Sequence, residues 1–208
     1  MNFLTKYIMI YFLFLVFGWF VLRVLVRRDY MIRERLSIPV SILQTLLFFI
    51  YGGFPYLYIS QDWPKVYVSS TLHFIGMVFI IIGLSSLAYG MLKLGLLPSI
   101  GSTSEELEQT GIYDISRNPQ ALACSFYVVG FSMLWPSWYA ISWVLLYVVL
   151  IHIMIMTEEE HLLHFYGASY EKYCNEVPRY IGVPSKYKES SPYHSLCHCG
   201  QYLINICI

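Results

Sequence analysis

Five apolar runs, each long enough or nearly long enough to cross a bilayer, limit this chain's fold before any motif is considered. They occupy residues 7–26, 38–59, 66–92, 119–135 and 138–156. Crossing the hydrocarbon core takes about 20 residues of α-helix, and a helix satisfies its backbone N–H and C=O groups internally where no water is present. The expected fold is therefore all-α: an integral membrane bundle of about five transmembrane helices. Only 12% of the 208 residues are charged, where a soluble domain carries roughly 25%. The formal net charge is zero, so no overall field recruits nucleic acid.

Each run carries its own punctuation. The first ends in Arg23, Arg27 and Arg28 and has no small-residue cleavage site, so it reads as an anchor and not as a cleaved signal peptide. Gly52, Gly53 and Pro55 are expected to kink or end the second helix near its exit. In the third, Gly76, Gly83 and Gly90 recur every seven residues and share one helical face, a stripe that lets another backbone approach closely. Only Pro136 and Ser137 separate the last two runs, which forces a tight antiparallel hairpin of two helices of similar length. After Met156 the sequence turns polar at Thr157-Glu158-Glu159-Glu160, where the fifth helix is expected to leave the bilayer. An amphipathic, Tyr-rich segment follows to about residue 181. The divisions are two N-terminal helices in 1–65, a core in 66–184, and a tail, 185–208, with no assigned structure.

Arginines set the expected orientation. Arg27, Arg28, Arg33 and Arg35 lie between the first two runs, against Lys65 alone in the next link. The positive-inside rule puts the first link, the 93–116 loop and the C-terminal segment in the cytosol. The three most polar regions then share one side.

Two clusters on that side could carry chemistry. The first runs from Thr110 to Gln120. Pro119 suits the first turn of a helix, where its missing N–H costs nothing. Arg117 then stands at a helix N-terminus, where free N–H groups, the dipole and a guanidinium suit a carboxylate or phosphate. Snorkelling of Arg117 to lipid headgroups is the alternative. The second cluster is Glu158-Glu159-Glu160, spread around the helix axis so that at least one carboxylate faces the bundle. Such a group can hold an ammonium, a ribose hydroxyl pair or a cation; the alternative is a solvated helix extension. The hairpin brings both clusters to one membrane face.

The ordered set Gly111-x-Tyr113, Arg117-Asn118-Pro119-Gln120, Glu158-Glu159, Leu162, Tyr166-Gly167, Tyr170, Tyr173 and Val177-Pro178-Arg179 resembles the isoprenylcysteine carboxyl methyltransferase family. The phospholipid amine methyltransferases belong to the same superfamily. The resemblance covers roughly residues 66–184. Many members have histidine where this chain has Asn118. The resemblance implies an S-adenosylmethionine-dependent methyltransferase whose Arg-Asn-Pro segment and paired glutamates enclose the cofactor on the cytosolic side. A lipid-like or prenylated acceptor would reach it between helices. It implies catalytic roles for Arg117, Glu158 and Arg179, and cofactor contacts from Tyr113, Arg117, Asn118, Pro119, Glu158, Glu159, Tyr166 and Tyr170.

The residues suit that chemistry. Methyl transfer from a sulfonium to a carboxylate cancels two charges, so a water-poor, well-positioned site favours it. This favours carboxylate O-methylation, with no base required. An amine acceptor must lose a proton, which Glu158 or Glu159 could take. Arg117 and Arg179 are the candidate carboxylate anchors. Tyr113, Tyr166, Tyr170 and Tyr173 could offer ring faces to an adenine or a sulfonium, or form an interfacial belt.

Other readings use the same residues. Glu158, His161, His164 and His152 have ligand-like helical spacing, but a di-metal site needs such pairs on two helices, and His73 is the only other histidine inside a run. No metal site is expected, and His152 and His73 read as hydrogen-bonded core histidines. The segment from Tyr166 to Pro178 also resembles the C-terminus of membrane sterol reductases that use NADPH, although those have more helices. A bundle retained as an inactive scaffold is the non-enzyme alternative. The five cysteines lack a disulfide framework, and Cys124, inside an apolar run, reads as a small hydrophobe. His194, Cys197, His198 and Cys199 lack the second ligand pair of a zinc site.

Overall fold

The computed structural model describes residues 2–59, 69–94 and 111–182. The described residues form an all-helical integral membrane bundle. Helix α1 spans Phe3–Arg33, with a π-helical stretch at Phe20–Val26. It is followed by α2 at Ile38–Ile59, α3 at Ser70–Leu94, a 3₁₀ turn at Gly111–Asp114, α4 at Pro119–Leu134, α5 at Trp138–Tyr166 and α6 at Ala168–Glu176. Four of these, α1, α2, α3 and α5, are long and apolar enough to span a bilayer, and α4 is a shorter apolar helix. The link at 61–65, the acidic patch at Glu105, Glu106 and Glu108, and the tail with His194, Cys197, His198 and Cys199 lie outside the described residues.

Pro55 sits inside α2, four residues before that helix ends at Ile59. One expectation about helix ends needs correction. The fifth helix does not end near Met156. It runs on through the three glutamates to Tyr166, because acidic side chains on its surface interrupt none of its backbone bonds. The hairpin helices are accordingly unequal, 16 residues in α4 against 29 in α5. Gly167, at φ 54°, ends α5 and turns the chain into α6.

Helix α3 packs chiefly on α4, and the glycine stripe explains how. A Cβ added at Gly76 would stand 2.8 Å from the carbonyl oxygen of Gly130, and one at Gly83 would stand 2.7 Å from that of Ala123. The two backbones touch there, and no side chain fits between them.

The main core lies among α1, α2 and α5, around the fully buried Leu22, Leu47, Trp143, Leu146 and Leu150. Tyr51 and Trp143 pair their polar atoms within it, as a low-dielectric medium demands. The Trp143 indole donates to the Tyr51 carbonyl at 3.1 Å, and the Tyr51 hydroxyl donates back to the Trp143 carbonyl at 3.2 Å. Near the hairpin end of the bundle, Tyr7 meets Ser142 at 2.7 Å. At the opposite end the Asp29 carboxylate accepts from the Ser37 backbone N–H at 2.9 Å and from its hydroxyl, tying the α1–α2 link.

Candidate functional site

Successive residues on α5 point about 100° apart, and this sends the three glutamates to three different places. Glu159 turns inward, and its side chain and that of Arg117 are each only 10% exposed. Its Oε1 lies 3.3 Å from Arg117 Nη1 and accepts from Asn118 Nδ2 at 3.4 Å. Its Oε2 takes both Arg179 Nε at 2.9 Å and Arg179 Nη2 at 2.8 Å. Glu160 faces α1 and pairs with Arg23 Nη2 at 2.5 Å and Arg27 Nε at 2.7 Å. Glu158 is half-buried near Tyr30, and no hydrogen bond or ion pair reaches its carboxylate among the described residues. The run is therefore not a uniformly solvated helix extension.

Three elements hold the guanidiniums in place. Pro119 occupies the first turn of α4 and Asn118 precedes it as N-cap, with no side-chain capping bond. The Asn118 amide donates instead to the Arg179 carbonyl at 3.1 Å as well as to Glu159. The Arg117 backbone N–H donates to the Pro178 carbonyl at 3.0 Å. The segment after α6 thus lies along the entrance to α4 and delivers Arg179 to the carboxylate opposite Arg117. Beneath it, the Tyr173 hydroxyl donates to the Tyr113 carbonyl at 2.7 Å. Tyr170 and Tyr173 are buried with Val177, and Tyr166 packs partly buried against them. Burial raises the hydroxyl pKa of both Tyr170 and Tyr173, with Glu159 adding to the rise for Tyr170.

The structure thus brings together Arg117, Asn118, Glu159, Tyr170 and Arg179, with Tyr113, Pro119 and Tyr166 around them and Glu158 one helical step away. It also contains partners that sequence reasoning missed. Arg117 Nη1 donates to the Cys174 sulfur at 2.6 Å. Burial, more than any neighbour, raises the Cys174 thiol pKa, which Arg117 partly opposes. The one available signal was that Cys174 follows Tyr170 by four residues, hence on the same helical face. Arg117 Nε is buried without an acceptor. His161 does not join the group: it is buried and stacks on Tyr30, with centroids 4.2 Å apart and planes 6° apart. His152, expected in the core, is exposed.

The fold defines an integral membrane helical bundle with a charged site gathered at one end. Residues 65–169 match the phospholipid methyltransferase family. The chain belongs to that family, a group of membrane methyltransferases that typically use S-adenosylmethionine. Over 179 residues it is 25% identical to the nickel-cobalt-cadmium resistance protein NccN of Alcaligenes xylosoxydans xylosoxydans, covering 86% of this chain and 78% of that protein. No solved structure matches.

Proposed function

We propose that this protein transfers the methyl group of S-adenosylmethionine to a lipid-like or prenylated acceptor, at the end of the bundle where Arg117, Asn118, Glu159 and Arg179 meet. One observation carries the reading. Glu159 is a carboxylate withdrawn from water and held by two guanidiniums, beside Glu158, which has no hydrogen-bond or ion-pair partner among the described residues. In this reading Glu159 organises the site, and Glu158 is free for a ligand.

The donor set suits the cofactor. Its carboxylate would satisfy the orphaned N–H of Arg117, with Arg179 close by. Its ammonium or ribose hydroxyls would find an acceptor in Glu158, where a charge-assisted contact is worth about 1.5–3 kcal/mol. Bound there, S-adenosylmethionine supplies a methyl group made electrophilic by its sulfonium. Asn118 and Pro119 shape the entrance, and Tyr113, Tyr166 and Tyr170 close it to water. For a carboxylate acceptor the protein need only position two opposite charges. An amine or an alcohol also needs a group to take its proton.

The site end of α1 carries Arg23, Arg27, Arg28 and Arg33, so the proposal places this end in the cytosol. A reporter fused after Ile208 should therefore be cytosolic. The cofactor reading is tested by calorimetric titration of the detergent-solubilised protein with S-adenosylmethionine and with NADPH. Saturable binding of the first is expected. Binding of NADPH alone would assign the site to a reductase.

A further inference from the structure

Seven residues before Glu159, on the same face of α5, is His152. Seven steps return almost to the same direction around a helix and climb about 10 Å, so His152 lies below the carboxylate, toward the middle of the membrane. Leu150 and Ile155 beside it are fully buried, whereas His152 is exposed. An ionisable side chain at such depth is costly and is expected to pair or to face a substrate path. Its Nδ1 lies 2.7 Å from the Tyr180 hydroxyl. Tyr180 directly follows Arg179, so the segment that brings a guanidinium to Glu159 also reaches down to the histidine. Burial raises the Tyr180 hydroxyl pKa, Arg179 opposes that rise and Glu159 adds to it, which places the hydroxyl within the electrostatic reach of the site. Nothing among the described residues hydrogen-bonds His152 Nε2.

We propose that His152 Nε2 takes the proton of a protic methyl acceptor, with Tyr180 as its positioning residue. The inference rests on the methyltransferase reading. With Nδ1–H donated to the Tyr180 oxygen, Nε2 keeps its lone pair free to accept a proton. An alcohol oxygen or an amine nitrogen forms its bond to the methyl carbon while the carbon–sulfur bond breaks, and that electron pair stays on sulfur. The proton of the alcohol, or of the ammonium before attack, passes to Nε2. The imidazolium is neutral again once it releases that proton to water. A carboxylate acceptor has no proton to give and would leave His152 without a role.

The test uses the full chain in lipid nanodiscs, methyl-labelled S-adenosylmethionine, and three probes of equal chain length: a long-chain amine, an alcohol and a fatty acid. His152→Gln should bind S-adenosylmethionine within about twofold of the wild type, measured by calorimetry. Its transfer to the amine or alcohol should fall on the order of a hundredfold, the lower end for loss of a proton acceptor. Tyr180→Phe removes only a hydroxyl at an exposed position and should fall less, with cofactor affinity unchanged. Undiminished transfer in His152→Gln, transfer confined to the fatty acid, or transfer to neither protic probe overturns the proposal. A wild-type chain that binds no S-adenosylmethionine removes the methyltransferase reading, and this inference with it.

Discussion

Replacing Glu159 with Gln removes one negative charge and leaves two guanidiniums facing each other. Arg117 is as buried as Glu159, at 10% side-chain exposure, and breaking such a pair from one side costs about 3–5 kcal/mol. Arg179 is 35% exposed, so water screens it and its share is about 1 kcal/mol or less. The glutamine oxygen still accepts one hydrogen bond, which puts the expected loss near the lower end, about 3 kcal/mol. In a chain of this size that lowers the melting temperature by on the order of 5–10 °C. Glu158→Gln makes the contrast. Its carboxylate has no ion-pair partner to lose among the described residues, so melting should not fall, while loss of one charge-assisted ligand contact weakens S-adenosylmethionine binding about tenfold or more. Thermal unfolding and calorimetry on both variants in the same detergent separate the two roles. A Glu159→Gln protein that melts like the wild type would refute the enclosed ion pair. A Glu158→Gln protein with wild-type affinity would remove Glu158 from the cofactor site.

Gly83→Leu forces a side chain into the backbone of α4 and should abolish monodisperse protein on size exclusion, whereas Gly52→Ala, with open space around it, should not; equal behaviour would contradict the α3–α4 contact. The Glu160 pairs with Arg23 and Arg27 are partly exposed, so a double-mutant cycle of Glu160→Gln with Arg23→Gln should give a coupling of about 0.5–1 kcal/mol with cofactor affinity intact. A coupling of zero would mean that the pair does not form in solution. Because the Cys174 pKa is raised on folding, the folded state holds the thiol proton more tightly than the unfolded chain. Stability should therefore fall as pH rises from the ordinary thiol range toward the folded value, and Cys174→Ser should flatten that fall in denaturation midpoints measured across alkaline pH.

What the sequence made legible followed from local periodicity. The apolar run at 38–59 coincides with α2 because it depends only on adjacent residues, and the seven-residue glycine spacing is enough to define a contact face. The end of α5 was misread because a change from apolar to acidic composition marks a change of surroundings, not of backbone hydrogen bonding. The convergence of Arg117 with the glutamates could be anticipated from the hairpin. Its finer organisation could not. Glu160 meets residues more than 130 positions earlier, Arg117 meets Cys174 57 positions later, and no spacing rule encodes such encounters. The same holds for His152, whose partner lies in the segment beyond α6.

Helix α1 packs along α5, with Tyr7 edge-on to Tyr139 near one end and Tyr30 stacked on His161 near the other. Twenty-three residues separate the two tyrosines. At about 100° per residue a regular helix would leave Tyr30 pointing about 140° away from Tyr7. In a π-helix, whose bonds reach one residue further, each residue advances only roughly 80–85°, and the seven residues at Phe20–Val26 cancel most of that angle. The π stretch is a phase corrector: without it α1 could dock at its start, or present Arg23, Arg27 and Tyr30 to the glutamate end of α5, but not both. A single-residue deletion within 20–26 should therefore rotate the basic end of α1 off Glu160 while the anchoring half stays in place.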